Sequence, residues 1–280
     1  MRTLKKFALL LALLPLACNV AEDGAEEVRI VSLGPNVTEI LVDLGIEPVA
    51  VDENSFDIID APLILTWPLE AESVLVHSPT LVLASDIMVT PEINPLAALE
   101  DMGIEVVVIP TGNSLNGIEE SINLTAAAVG LDGAPLIEEM RASIRETERA
   151  IAHISVIERP TVYFEISEAP YMFTFGRAAF LNELLEMGGG VNVFTGEDAW
   201  LSVSDEEILY LNPEVILTNI SYLDDPIGEI MSRPGWGVLE ATQTGRVYQI
   251  PANPTSRASN RVSEAVLAIA QALHPDAFEN

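Results

Sequence analysis

The sequence predicts an α/β protein of two lobes, each built on a mainly parallel sheet and joined by one long backbone helix; three observations point to it. Short apolar runs alternate with helical patterns along both halves of the chain, as they do where helices cross between parallel strands. The longest helical pattern, Asp132 to Ile157, lies almost at the middle. A unit of Glu, six residues, Pro and a strand occurs once in each half, from Glu72 to Pro79 and from Glu206 to Pro213. The 280 residues then divide into a leader (1–17), a tether (18–27), an N-terminal lobe (28–131), the bridging helix (132–158) and a C-terminal lobe (159–280). Each lobe is long enough to bury its own core.

The start, MRTLKKFALLLALLPLACNV, places Arg2, Lys5 and Lys6 before an apolar run and small Ala17 before Cys18. It is shorter than the roughly 20 residues that span a bilayer and reads as a secretory signal. Cys18 is the only cysteine, so no intramolecular disulfide is expected. Residues 19–27, NVAEDGAEE, are polar and acidic and read as a tether.

In the first lobe Val28 to Leu33 is a buried-strand pattern, followed by the turn Gly34-Pro35-Asn36 and a helix from Val37 to Leu44 that Gly45 stops. Strands follow at Val49 to Val51, Leu81 to Ala84 and Glu105 to Ile109, and helices at Glu70 to His77, Leu96 to Met102 and Glu119 to Val129; Asp52 to Pro62 reads as irregular. In the bridging segment Pro135 suits a first helical turn, and Leu136, Ile137, Met140, Ile144, Ile151 and Ile154 recur at helical spacing. Its roughly 24 residues would span about 36 Å. The second lobe repeats the pattern. Strands are expected at Thr161 to Ile166, Met172 to Phe175, near Asn192, Val215 to Thr218 and Val247 to Ile250, with helices at Ala178 to Met187, Asp205 to Leu211, Pro226 to Met231 and Val262 to Leu273.

Charge narrows the function. The chain carries a formal charge of −30, and cleavage after Ala17 leaves ten basic residues, all arginine, against 43 acidic ones. Such a surface repels nucleic acid and anionic lipid headgroups. A chain without lysine has no P-loop, Schiff-base or pyridoxal chemistry. GxSxG, HExxH, CxxC and GxGxxG are missing too, so no enzyme is expected. His77, His153 and His274 are too scattered for a histidine-rich metal site. In the repeated unit Pro79 and Pro213 end a helix before a strand. Glu72 and Glu206 gain about 0.3 to 1 kcal/mol from the helix dipole, which leaves unexplained why each lobe places one at the same point, with Trp67 or Trp200 shortly before it.

RIVSLGPNVTEIL, LEAESVLVHSPTLVLAS, FGRAAFLNELLEMGGGVNVF, SDEEILYLNPEVILTN, RPGWGVLEATQTGRVYQI and SRASNRVSEAVLAIAQALHP, in that order, resemble the iron-siderophore and vitamin B12 class (class III) of periplasmic substrate-binding proteins of ABC importers. The likeness runs from Arg29 to about Phe278 and is strongest to the cobalamin-binding members. It implies a ligand held between the lobes and delivered to an ABC permease dimer, with no cofactor, by a monomer. Cys18 resembles the lipobox cysteine, lipidated to form an extracytoplasmic, membrane-anchored lipoprotein, although Pro15 and Leu16 depart from the usual box. The resemblance assigns transporter docking to Glu72 and Glu206, and ligand binding to Trp67, Phe173, Trp200, Asn253 and Arg257. Asn253 stands where the best-known vitamin B12 binder has aspartate, and Asp52 to Pro62 lacks the tyrosine-proline turn of the family's pocket.

The expected cargo is therefore a corrinoid, a flat amide-rimmed disc suited to aromatic walls. A ferric siderophore or haem is the alternative within the family; a catecholate siderophore would call for several basic residues, and haem for an axial His or Tyr. From other classes, a non-transport sensor domain or an extracytoplasmic enzyme of similar fold would fit the same architecture.

Overall fold

The computed structural model describes residues 28–89, 94–198 and 200–279; the expected leader, tether and Cys18 lie outside them. In the N-terminal lobe the elements run β1 (Ile30–Leu33), α1 (Pro35–Asp43), β2 (Ala50–Asp52), β3 (Leu63–Ile64), α2 (Ala71–Leu75), β4 (Leu81–Ser85), α3 (Ala97–Asp101), β5 (Glu105–Ile109) and α4 (Leu115–Ala128). α5 (Ala134–Ala150) leads to the second lobe. There follow β6 (Thr161–Glu165), β7 (Phe173–Phe175), α6 (Phe180–Met187), β8 (Val191–Asn192), β9 (Trp200–Ser202) and α7 (Asp205–Leu211). The chain ends with β10 (Val215–Thr218), α8 (Pro226–Met231), α9 (Glu240–Thr244), β11 (Val247–Gln249), α10 (Ala252–Ser256) and α11 (Val262–Leu273).

The first sheet is parallel in the order β3-β2-β1-β4-β5, the second parallel in the order β11-β10-β6-β8, and β7 and β9 form a separate antiparallel ribbon. Alternation explains why the central strands are apolar throughout. Ile30, Leu81 and Leu83 pack on one side of the first sheet with Val37 and Leu41 of α1, while Val31, Val82 and Ala84 pack on the other with Val74 and Leu99. In the second sheet Val162, Phe164 and Leu217 face α6 and α11, and Tyr163 and Ile216 face Ile208 and Trp236. Both faces are covered, as parallel sheets require. At the join of β1 and α1, Gly34 has φ 142°, and a Cβ there would lie 2.7 Å from that of Ser85, so only glycine fits between the ends of β1 and β4.

α5 packs along both lobes. Leu136, Met140 and Ile144 belong to one core with Ile118 and Ile122 of α4 and Val266 and Ile269 of α11. The helix is shorter than its periodicity suggested, 17 residues or about 25 Å. After Ala150 the hydrogen bonds tighten, Ala152 donating to Arg149 and Ile154 to Ile151, and a capping box between Ser155 and Glu158 starts a new turn. α4 begins earlier than expected because the Ser114 hydroxyl caps it, accepting from the Gly117 N–H at 3.2 Å. β3, β9, α9 and α10 carried too little local pattern to be expected.

The carboxyl ends of the two sheets face each other. The loop after β2 meets the segment after β11, where Asn253 donates to Asp57 at 2.5 Å. On another side of the interface, Glu183 of α6 accepts the first N–H of α4, from Leu115, at 2.7 Å. Among the described residues no helix is long and apolar enough to cross a membrane.

Candidate binding cleft

Open parallel α/β sheets hold ligands in the crevice at the carboxyl ends of their strands. Here the aromatic residues named above gather at that end. Phe173 and Trp200 lie on the β7–β9 ribbon, whose register pairs Phe175 with Trp200 and Phe173 with Ser202. With its period of two, the ribbon turns Phe173, Phe175 and Trp200 to one face. Trp200 stands edge-on to buried Phe175 at 5.9 Å, and Phe175 packs on Phe164 at 5.4 Å, so an exposed ring is supported from the core. Trp67 belongs to the other lobe, in the loop after β3, and is 74% exposed. Its neighbour Thr66 donates from both N–H and hydroxyl to Glu53, at 3.0 and 2.9 Å, which fixes the loop. No aromatic contact links Trp67 to Trp200 or Phe173 among the described residues; each lobe presents its own wall.

Residues not anticipated join them. Phe56 after β2, Ile87 after β4, Tyr171 after β6 and Tyr222 after β10 are large, exposed and placed at the same ends of the sheets. For Phe56, Tyr171 and Tyr222 an aromatic in a loop that follows a strand was the available signal; Ile87 carried none. Tyr222 donates to Glu168; burial and that carboxylate push its phenol up to about 12.

Asn253 and Arg257 meet the N-terminal lobe directly. Arg257 donates to Glu39 at 2.9 Å, to Asp57 at 2.7 Å and to the Asn54 carbonyl at 3.1 Å. Ser259 donates to Glu39 at 2.5 Å, and Asn260 and Arg261 donate to Asp43 at 2.8 and 2.9 Å. In this seam every donor is on the C-terminal lobe and every acceptor on the other. Burial raises the Glu39 carboxyl, against the pull of Ser259 and Arg257. Burial works to raise Asp57 as well, but the hydrogen bonds from Arg257 and Asn253 outweigh it and hold the group below the ordinary carboxylate range. Beside the seam is a cavity of about 390 Å³ lined by Ser221, Pro251, Asn253 and Glu264 as well as Asp57 and Arg257.

Below the C-terminal wall a buried ion pair braces the end of β6. Arg233 grips both oxygens of Glu165 at 2.6 and 2.7 Å, bonds Glu229 and lies 4.5 Å over the ring of Trp236. Tyr163 donates to the same carboxylate at 3.1 Å.

Glu72 and Glu206 each occupy the second position of a short helix, α2 and α7. Both are exposed and make no side-chain hydrogen bond among the described residues. In α7 the capping box is formed by Ser204 with Glu207, not Glu206. The recurrence continues in the backbone, for Ser78 and Asn212, just before Pro79 and Pro213, are the two described non-glycine residues with positive φ (49° and 45°). Four residues after each glutamate stands an exposed apolar side chain, Val76 (75%) and Tyr210 (87%), on the same helix face.

The family model described as periplasmic binding protein matches residues 30–254. The chain belongs to the periplasmic binding protein family. It is 27% identical over 269 residues to the uncharacterized ABC transporter substrate-binding lipoprotein YvrC of Bacillus subtilis, covering 91% of this chain and 82% of that one. The haem-binding periplasmic protein RhuT of Roseiflexus superposes with a TM-score of 0.76 at 23% identity, over 89% of this chain and 99% of the other. The vitamin B12 binding protein BtuF of Vibrio cholerae does so with a TM-score of 0.67 at 22% identity, over 90% and 98%. Two α/β lobes with mostly parallel sheets and a connecting helix are the class III fold of this periplasmic binding protein family.

Proposed function

We propose that this protein is the substrate-binding lipoprotein of an ABC importer, capturing a corrinoid between its lobes and handing it to the permease dimer outside the cytoplasm. The observation that carries this reading is the placement of Phe173 and Trp200 on one ribbon face of one lobe and of Trp67 on the facing end of the other. A broad flat ligand with an amide rim is served by aromatic walls and a few polar groups between them; Asn253 lines the cavity beside the seam, whereas Arg257, expected to bind the ligand, has its donors on Glu39, Asp57 and the Asn54 carbonyl instead. A relative named as a substrate-binding lipoprotein supports the anchor, and a vitamin B12 binding protein stands beside haem binders among the structures of this fold.

Titration with cobalamin tests it. Trp67 and Trp200 should be quenched, whereas Trp236, fully buried in the C-terminal core, should contribute an unquenched background. Trp200→Ala is expected to weaken binding by about 1 to 3 kcal/mol, the scale for truncating a central aromatic contact. Unchanged affinity in Trp67→Ala and Trp200→Ala would remove both from the site.

Haem is the second reading, because Tyr171 and Tyr222 offer exposed phenols at the crevice and RhuT is a haem binder. Against it, the Tyr222 hydroxyl is already engaged with Glu168. The histidines are elsewhere: the His77 carbonyl takes Arg29 ahead of β1, and His274 lies 3.0 Å from the Gly189 carbonyl beyond α6. Haemin titration, read by its absorption band, separates the two.

The anchor rests on Cys18. Cys18→Ala should move the protein from the detergent phase to the aqueous phase after detergent phase separation, and wild-type protein found wholly in the aqueous phase would remove the lipid.

A further inference from the structure

We infer that Asp57 sets the charge of the cargo: together with Glu39 it occupies Arg257, so that among the described residues the crevice has no unpaired cation, and it takes a neutral or cationic ligand while rejecting a polyanion. This rests on the reading of the crevice as the binding site, and holds for whichever neutral ligand fills it.

The arginines carry the argument, since the described residues contain ten of them and no lysine. The N-terminal lobe has only Arg29, which precedes β1 and donates to the His77 and Ser78 carbonyls, at the end of the sheet away from the crevice. Arg159 and Arg246 precede β6 and β11 at the corresponding end of the second sheet, bonded to the carbonyls of Glu186 and Leu273. Arg141, Arg145 and Arg149 lie along α5. Four remain on segments that follow strands of the C-terminal lobe, and each is paired with carboxylates of this chain. Arg177 bonds Asp198, Arg233 bonds Glu165 and Glu229, Arg257 bonds Glu39 and Asp57, and Arg261 bonds Asp43.

Of these partners Asp57 is the one whose removal opens a site. Glu39 lines the same cavity but is only 2% exposed and also holds Ser259, and Asp43 lies outside the cavity. Asp57 is an exposed loop residue lining the cavity, and it takes the edge of Arg257 that turns toward it. Asp57 and Glu264 line the same cavity as Arg257 and Arg261, and Arg261 is paired with Asp43, so an incoming anion meets a carboxylate beside each guanidinium. Discrimination of this kind works through an unfavourable charge placed against the wrong ligand. Without Asp57, Arg257 would still be anchored by Glu39 and the Asn54 carbonyl and would free the Nη2 hydrogen now given to Asp57, a charge-assisted donor for a carboxylate or catecholate oxygen.

The experiment uses the mature chain, Asp57→Ala and Asp57→Asn, titrated with three probes: cobalamin (neutral), a ferric trihydroxamate siderophore (neutral or cationic) and a ferric tris-catecholate siderophore (trianionic). Wild type is expected to bind at least one of the first two at least 100-fold more tightly than the trianion. Both variants are expected to gain tenfold or more for the trianion with little change for the neutral probe, and the gain should shrink in high salt. Thermal melts establish that the variants are folded; because Asp57 sits on a surface loop, Asn keeps its shape where Ala does not. A wild-type protein that binds the trianion as tightly as the neutral probes overturns the inference, as does an unchanged trianion affinity in both variants. Failure of cobalamin to bind while the hydroxamate does would sink the corrinoid reading and leave the charge rule standing.

Discussion

Arg257→Ala is expected to destabilise the protein by about 3 to 5 kcal/mol at neutral pH, the cost of leaving one member of a buried ion pair without its partner. Glu39 is only 2% exposed and would keep a single hydrogen bond, from Ser259. Glu39→Gln should cost less, since Arg257 retains Asp57 and the Asn54 carbonyl. The pH dependence has a definite sign. Burial already raises Glu39 above the carboxylate value of 4.5, and loss of the guanidinium raises it further. Below that value Glu39 is protonated in folded and unfolded chains alike, so the charge penalty vanishes; it grows as pH rises through the folded-state pKa. Asp57 acts in the same direction, because the stability it draws from Arg257 is present above 3.8 and lost as pH falls through its lowered pKa. Denaturant melts of both variants should therefore show the Arg257→Ala deficit shrinking from pH 7.5 to pH 4.5. A deficit independent of pH would mean that the seam is held by packing and not by charge.

The Glu72→Ala/Glu206→Ala double variant is expected to bind its ligand normally and to fail in transport. Helix-dipole contributions at the second position of α2 and α7 are worth only about 0.3 to 1 kcal/mol each, and Glu207, not Glu206, closes the capping box of α7; the melts should barely move. If the two carboxylates meet cationic groups of the permease dimer, each loss costs about 2 to 5 kcal/mol of association, with the double variant worse than either single one. Val76 and Tyr210 stand beside them in matching positions, giving each lobe an apolar contact next to its charge. A pair of equivalent feet suits a partner made of two equivalent subunits. Uptake of labelled ligand into transporter liposomes, run beside ligand titration of the isolated protein, is the check. Normal uptake by a folded, ligand-loaded double variant would remove both glutamates from the interface.

Elements with local signals were legible in the sequence. α7, α8 and α11 have the expected bounds, as do β5 and β10: a serine cap marks α7, a leading proline α8, a short β-branched run each strand, and an apolar helical period α11. β9 is three residues whose partner β7 lies 25 residues earlier, and its pairing is a long-range event. α10, ANPTS, has proline inside and no apolar period; it is held by the Thr255 hydroxyl, which donates back to the Pro251 and Ala252 carbonyls and accepts from Asn219. The candidate site divides in the same way. Trp67, Phe173 and Trp200 could be named because the segments that carry them resemble pocket segments of the family. Glu39 and Asp57 could not, being two among 43 acidic residues, with 218 positions between Glu39 and the arginine it holds.

Composition alone decided that this protein would be poor in cations: after Ala17 it has no lysine, and from 28 to 131 a single arginine. The order of residues equally decided the alternation of strands and helices, since their periods are local properties of the chain. Whether Arg257 is offered to a ligand or spent within the protein was settled only by the fold. Charge pairing depends on distance, and residues two hundred positions apart come within 2.7 Å only when the carboxyl ends of the two sheets are brought face to face.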